Sequence, residues 1–148
     1  PQAPHEVRII GGQWRRTKLP VADKPGLRPT PDRVRETLFN WLGQDLSGWR
    51  CLDAFAGTGA LGLEAASRGA ASVLLVEQHA ALVRQLRELK ELLGADAVQV
   101  RQGDALAVLL AAARRRARID LLCFSTACGP LGDNSKTAAE PLALELPP

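Results

Sequence analysis

The sequence predicts an open α/β fold built on a parallel sheet. Two observations predict it. From residue 50 onward, short apolar runs alternate with segments of helical period, and that alternation puts strands side by side with helices on both faces. The first of these runs, "RCLDAF", breaks into a glycine turn and then resumes as a helix, the strand–turn–helix order of such a sheet.

The elements follow in order. "VRIIGGQWRRTKLPV" (7–21) reads as two short strands about a Gly-Gly turn, a basic hairpin, followed by the linker "ADKPGLRP". In "TPDRVRETLFNWLG" Thr30 is expected to cap a helix, Pro31 to take its first position and Asp32 to sit in its first turn. Val34, Leu38, Trp41 and Leu42 recur at helical spacing, and Gly43 stops the element. A strand at 50–55 then leads to a helix at 59–68 that Gly69 ends. "ASVLLVE" (71–77) is a buried strand. The helix at 79–93 places Leu82, Leu86, Leu89 and Leu93 on one face and stops at Gly94. "AVQVR" (97–101), a helix at 105–116 and "IDLLCF" (119–124) complete the pattern. "STACGPLGDNSKTAAEPLALELPP" has no usable period and four prolines, so it reads as an irregular tail. The expected divisions are a hairpin and linker at 1–28, an α/β core at 29–124 and the tail at 125–148.

The 148 residues suffice for one domain with a real core. The hydrophobic fraction of 46% and charged fraction of 24% are ordinary for a globular protein. No apolar run reaches the roughly 20 residues of a membrane helix, and "PQAPHEVRII" lacks a signal-peptide core, so a cytoplasmic protein without membrane partner is expected. Cys51, Cys123 and Cys128 are odd in number and lack a second pair for zinc, so plain reduced thiols and no metal are expected. Residues 1–40 hold eight Lys/Arg against four Asp/Glu, whereas residues 41–148 hold eleven against twelve. The positive excess is therefore N-terminal, with one further cluster, "RRRAR", at 114–118. It suits a polyanionic partner or a solvated basic surface equally well.

Gly57, Gly59 and Gly62 satisfy G-x-G-x-x-G, and Glu77 stands 20 residues beyond Gly57 at the next strand end. Glycines admit a ligand close to the backbone, and a carboxylate at that place accepts ribose hydroxyls. Tight helix–strand packing is the plain alternative. Two more acids bear on the ligand. Asp53 lies at the first strand end and Asp104 just after the third, on the carboxyl edge where open sheets bind ligands. Carboxylates at three successive strand ends favour a partly cationic adenosine ligand without phosphate. S-adenosyl-L-methionine fits this set, and NAD fits it worse.

"LDAFAGTGALGLEAASRGA" resembles the first motif of Rossmann-like class I S-adenosylmethionine-dependent methyltransferases. Together with "RIIGGQWRRTKLPV" and "LRPTPDRVRETLFNWL", it is similar to bacterial 16S rRNA guanine-N2 methyltransferases of the RsmD type, from about Val7 to about Phe124. The resemblance implies strand order 3-2-1-4 and methyl transfer to the exocyclic amine of one guanine, in 16S rRNA or the 30S particle, by a monomer. By motif position Asp53, Gly57 and Gly59 would cradle the cofactor, Glu77 its ribose and Asp104 its adenine. Arg8, Arg15, Arg16 and Lys18 of the hairpin would track RNA phosphates. Arg28, Thr30, Arg33 and Arg35 would line the entrance, or serve as capping and surface residues.

The chain departs from that pattern after the fourth strand. Exocyclic-amine methyltransferases carry [Asp/Asn]-Pro-Pro-[Tyr/Phe] there, to accept the amine hydrogens and stack the extruded base. Here "CFSTACGP" follows instead, and the family's later strands are missing. A reading-frame change or loss of the C-terminal part would produce such a break. The expected consequence is cofactor binding with impaired turnover, and an exposed fourth strand as an apolar edge. Two rivals remain: an NAD-binding oxidoreductase, and a non-catalytic RNA-binding module using the hairpin and "RRRAR".

Overall fold

A computed structural model describes residues 6–21 and 30–124. Strands β1 (Glu6–Arg8) and β2 (Lys18–Pro20) form the predicted antiparallel hairpin, with Val7 opposite Leu19 and Arg8 opposite Lys18. Alternation does the sorting. Val7 and Leu19 are buried, while Arg8 and Lys18 stand side by side on the exposed face.

Helix α1 (Asp32–Leu42) begins one residue later than expected. Pro31 occupies the N-cap position, no side chain caps the helix, and Gly43, at φ 101°, ends it. Its buried face also differs. Arg35 and Phe39 are fully buried, whereas Val34 and Trp41 are exposed, Trp41 by 81%. Leu38 and Leu42 pack partly buried against the core as their spacing predicts, and the rest of the face differs because a buried acid on a neighbouring helix draws the Arg35 guanidinium inward.

The main sheet has order β5-β4-β3-β6, all neighbours parallel, from β3 (Arg50–Ala54), β4 (Ser72–Glu77), β5 (Val98–Gln102) and β6 (Leu121–Phe124). This is the expected 3-2-1-4 arrangement. Helices α2 (Ala60–Ser67), α3 (Ala80–Leu93) and α4 (Ala105–Arg114) connect the strands. Leu82, Leu86 and Leu89 of α3 face inward as their spacing predicts, and Gly94 ends the helix in a left-handed conformation.

One sheet face packs Cys51, Val73, Leu75, Val98, Leu121 and Cys123 against α2, α3, Phe39 of α1 and the hairpin residues Val7, Ile9 and Leu19. The hairpin and the sheet therefore share one core. The other face buries Leu52, Ala54, Val76 and Leu122 beneath α4, through Ala105. Among the described residues no helix is long and apolar enough to cross a membrane. The predicted tail at 125–148 and the linker at 22–29 lie outside the described residues.

Candidate cofactor site and basic surface

The glycine turn joins β3 to α2, and each glycine has a separate steric reason. Gly57 has φ 58° and Gly59 φ 80°, backbone that favours glycine. A Cβ on Gly59 would also lie 2.7 Å from Leu86 Cδ2. Gly62 is inside α2, where a Cβ would lie 2.2 Å from Leu75 Cδ2 and 3.2 Å from Asp53 Oδ2, so α2 seats directly on the sheet.

Two carboxylates at strand ends hold this turn. Glu77 Oε1 accepts the N–H of Gly57 at 3.0 Å, and its Oε2 accepts the main-chain N–H of His79 at 2.9 Å. The His79 ring Nδ1 lies 2.9 Å from the same Oε2. Asp53 Oδ2 accepts the N–H of Gly62 at 3.0 Å. Among the described residues Asp53 Oδ1 and the Thr58 hydroxyl are buried without a hydrogen-bond partner. Buried polar atoms in this state are rare and costly, and they point to a missing partner. Burial pushes the Asp53 carboxyl up to about 8; the Gly62 N–H pulls it back, and the Glu77 charge adds to the rise.

Asp104 sits at the N-cap of α4, largely exposed, its Oδ1 accepting the N–H of Leu106 at 3.1 Å. Gly103 N–H donates to the Glu77 carbonyl at 3.1 Å, tying the ends of β4 and β5 together. The structure thus brings Asp53, Gly57, Gly59 and Glu77 into one turn, with Asp104 at the adjacent strand end. Asp53 and Glu77 are almost wholly covered. The buried thiols are ill suited to nucleophilic work. Burial raises Cys51 to about 12 and Cys123 well above the usual thiol range.

On the outer surface Arg8, Arg15, Arg16, Lys18 and Arg33 are exposed. Arg35 does not line an entrance or the surface. It is fully buried, donating to the carbonyls of Arg8 (2.8 Å) and Thr30 (3.2 Å) and to Glu64 Oε1 (3.0 Å), and pairing with Asp32. It cannot face RNA, because its donors are spent inside. Thr30 contributes its carbonyl rather than a cap. Arg28 lies outside the described residues.

Sequence reasoning missed Glu64. Its carboxylate is fully buried and accepts from Ile10 N–H, Gly11 N–H, Arg35 and Arg68. Arg68 also lies over the Phe39 ring and donates to Gln44 Oε1 at 2.7 Å. The i,i+4 spacing of Glu64 and Arg68 in an otherwise apolar helix was the available signal.

Sheet order, glycine turn and strand-end acids together define a Rossmann-like class I methyltransferase fold. A hypothetical protein of Thermus thermophilus superposes with TM-score 0.71 at 37% identity, over 80% of this chain and 67% of that one. The Escherichia coli protein yhhF superposes with TM-score 0.62 at 54% identity, over 70% and 57%. Residues 7–125 match the family described as "Conserved hypothetical protein 95", and the chain belongs to that family. The Escherichia coli (strain K12) protein "Ribosomal RNA small subunit methyltransferase D" is 55% identical over 104 residues, 70% of this chain and 52% of that protein. The Haemophilus influenzae protein of the same name is 53% identical over 88 residues, 60% and 46%. The chain thus spans about half the length of the curated relatives it matches.

Proposed function

We propose that the chain carries the cofactor- and RNA-binding part of an S-adenosyl-L-methionine-dependent methyltransferase acting in the cytoplasm on the N2 amine of a guanine in 16S rRNA. One observation carries the choice of cofactor. Asp53 is a covered carboxyl whose Oδ1 has no partner among the described residues, beside a turn of glycines, with its proton affinity raised by burial and by the Glu77 charge. A cationic ligand favours the ionised form of such a group, and a pyrophosphate opposes it.

The residues fit the group. Asp53, Gly57 and Gly59 would cradle it, Glu77 would accept ribose hydroxyls, and Asp104 would accept from the adenine amine. Bound there, S-adenosyl-L-methionine supplies an electrophilic methyl group. The protein's own part is to bind and orient. Glu77 is already fixed by Gly57 and His79, so its geometry is set before a ligand arrives. Arg8, Arg15, Arg16, Lys18 and Arg33 would engage RNA phosphates. No Pro-Pro-aromatic motif follows Phe124 directly, so the step that holds the target amine and stacks its base lacks the expected residues.

Calorimetry with S-adenosyl-L-methionine and with NAD tests the reading. The expected result is binding of the former alone, with proton release between pH 7 and 8 as Asp53 ionises beside the positive charge. Binding of NAD alone sinks it. Incubation with methyl-labelled cofactor and 30S particles is expected to give RNA binding with little or no label transferred. Ready transfer would show that the tail at 125–148 completes the site after all.

A further inference from the structure

Three non-glycine residues among those described have a left-handed backbone: Arg16 (φ 72°), Phe55 (φ 59°) and Arg116 (φ 51°). Two of the three are exposed arginines, and each stands where a motif ordinarily takes glycine. In the hairpin, Ile9 N–H donates to the Thr17 carbonyl (2.9 Å) and Arg16 N–H to the Ile9 carbonyl (2.8 Å). Ile9 thus opposes both Arg16 and Thr17, a bulge whose first position favours glycine. At the end of α4, Ala117 N–H donates to the Ala112 carbonyl (3.0 Å) and Arg116 N–H to the Ala113 carbonyl (3.1 Å). That is a helix termination whose left-handed residue is usually glycine.

The chain itself provides the comparison. Helix α3 ends in the same pattern, with Ala95 N–H on the Lys90 carbonyl and Gly94 N–H on that of Glu91, and there the left-handed residue is a glycine. At Arg16 and Arg116 an unfavourable backbone is kept with a charged side chain on it. An observed outlier of this kind points toward function.

The two arginines also approach one edge of the sheet, Arg16 from the face that the hairpin covers and Arg116 from the face that α4 covers. Arg116 precedes β6, whose start is tied to that of β3 by Asp120 N–H on the Arg50 carbonyl (2.8 Å). The hairpin turn is fastened to the C-terminal end of α2, by Gln13 N–H on the Ser67 carbonyl and by Ser67 Oγ on the Gly11 carbonyl. That end of α2 leads directly into the start of β4. Both arginines therefore lie toward the amino-terminal edge of the sheet. The glycine turn lies at the opposite edge, a five-residue strand or on the order of 15 Å away. Arg15, Arg114 and Arg115 are exposed beside them, and none of these five is in an ion pair among the described residues. Arg118, by contrast, is engaged with Asp120 at 3.0 Å.

We propose that Arg116 extends the hairpin's RNA-binding surface, through Arg16, along the amino-terminal edge of the sheet, remote from the cofactor turn, where the two take phosphate groups of an extended RNA. The guanidinium fork suits phosphate oxygens, and two exposed forks on separate elements suit a polyanion longer than a nucleotide. This rests on the RNA reading above and adds Arg116 and a location to it.

The test uses Arg16→Gly, Arg116→Gly and the double variant, because glycine is the residue each backbone prefers. Affinity for a labelled 16S rRNA transcript is measured across a salt series, alongside thermal midpoint and S-adenosyl-L-methionine affinity. The expected result is an equal or higher midpoint, unchanged cofactor affinity, and RNA binding weakened about threefold to tenfold per arginine. The slope of log K against log salt should become shallower by about 0.7 to 0.9 per arginine. Unchanged RNA affinity and slope, in a protein whose binding Arg8→Ala does weaken, overturns this inference and leaves the RNA reading standing. A lowered midpoint makes the arginines structural and overturns it too. A wild-type chain that binds phosphatidylserine vesicles but no RNA removes both.

Discussion

The fully buried carboxylate of Glu64 stands 3.0 Å from Nη1 of Arg35, which is equally buried. Helix α2 supplies the acid and α1 the base, and the hairpin closes over them with two N–H groups at 2.9 Å each. Three segments meet at one carboxylate, so the pair decides how the basic ribbon sits on the sheet.

Removing the acid leaves Arg68 buried without its counter-charge and Arg35 with only the half-exposed Asp32. Glu64→Gln is expected to cost about 3–5 kcal/mol, the range for breaking a buried pair. Urea unfolding measures this. Hydrogen exchange should show the hairpin amides losing protection first.

Asp53 makes stability depend on pH. Its folded-state value of about 8 lies above the ordinary 3.8, so the folded chain holds a proton that the unfolded chain releases. Its favourable contribution is complete below pH 4, falls as pH rises, and is lost by the time pH passes 8. The slope approaches about 1.4 kcal/mol per pH unit at most. Asp53→Asn should flatten the stability profile between pH 4 and 8 and weaken cofactor binding. An unchanged profile would show that Asp53 is ionised throughout.

Gly62→Ala forces a methyl group onto Leu75 Cδ2 and lifts α2 from the sheet. The expected loss is about 1–3 kcal/mol, with weaker cofactor binding because the same helix carries the glycine turn. A thermal melt and a cofactor titration check both parts.

Cys51 and Cys123 are buried, with thiols held well above the usual range, so neither should react with a thiol reagent at pH 8 in the folded state. In a Cys128→Ser background, labelling should follow the unfolding rate. Rapid labelling without unfolding would contradict the burial.

Much of the fold was legible in the sequence because it rests on local regularities. Alternation of period, Gly43 and Gly94 as stops, and the leucine stripe of α3 each depend on neighbours a few residues away. The glycine turn was legible for the same reason, as was Glu77, whose place follows from strand length. The face of α1 was legible only in part. Leu38 and Leu42 lie against the core while Val34 and Trp41 do not, and Arg35 is buried because an acid 29 residues further along the chain satisfies it.

By itself the sequence determined the order of elements, the glycines that turn and seat α2, and the acids at the strand ends, since steric limits and apolar periodicity act at short range. Tertiary structure alone decided which charges are spent inside. Glu64, Arg35 and Arg68 are buried only because folding brings them together, and Asp53 holds its proton only because the sheet and α2 close over it. Charge in a sequence is a count, whereas its energy depends on what surrounds it, and that is settled only when distant segments meet.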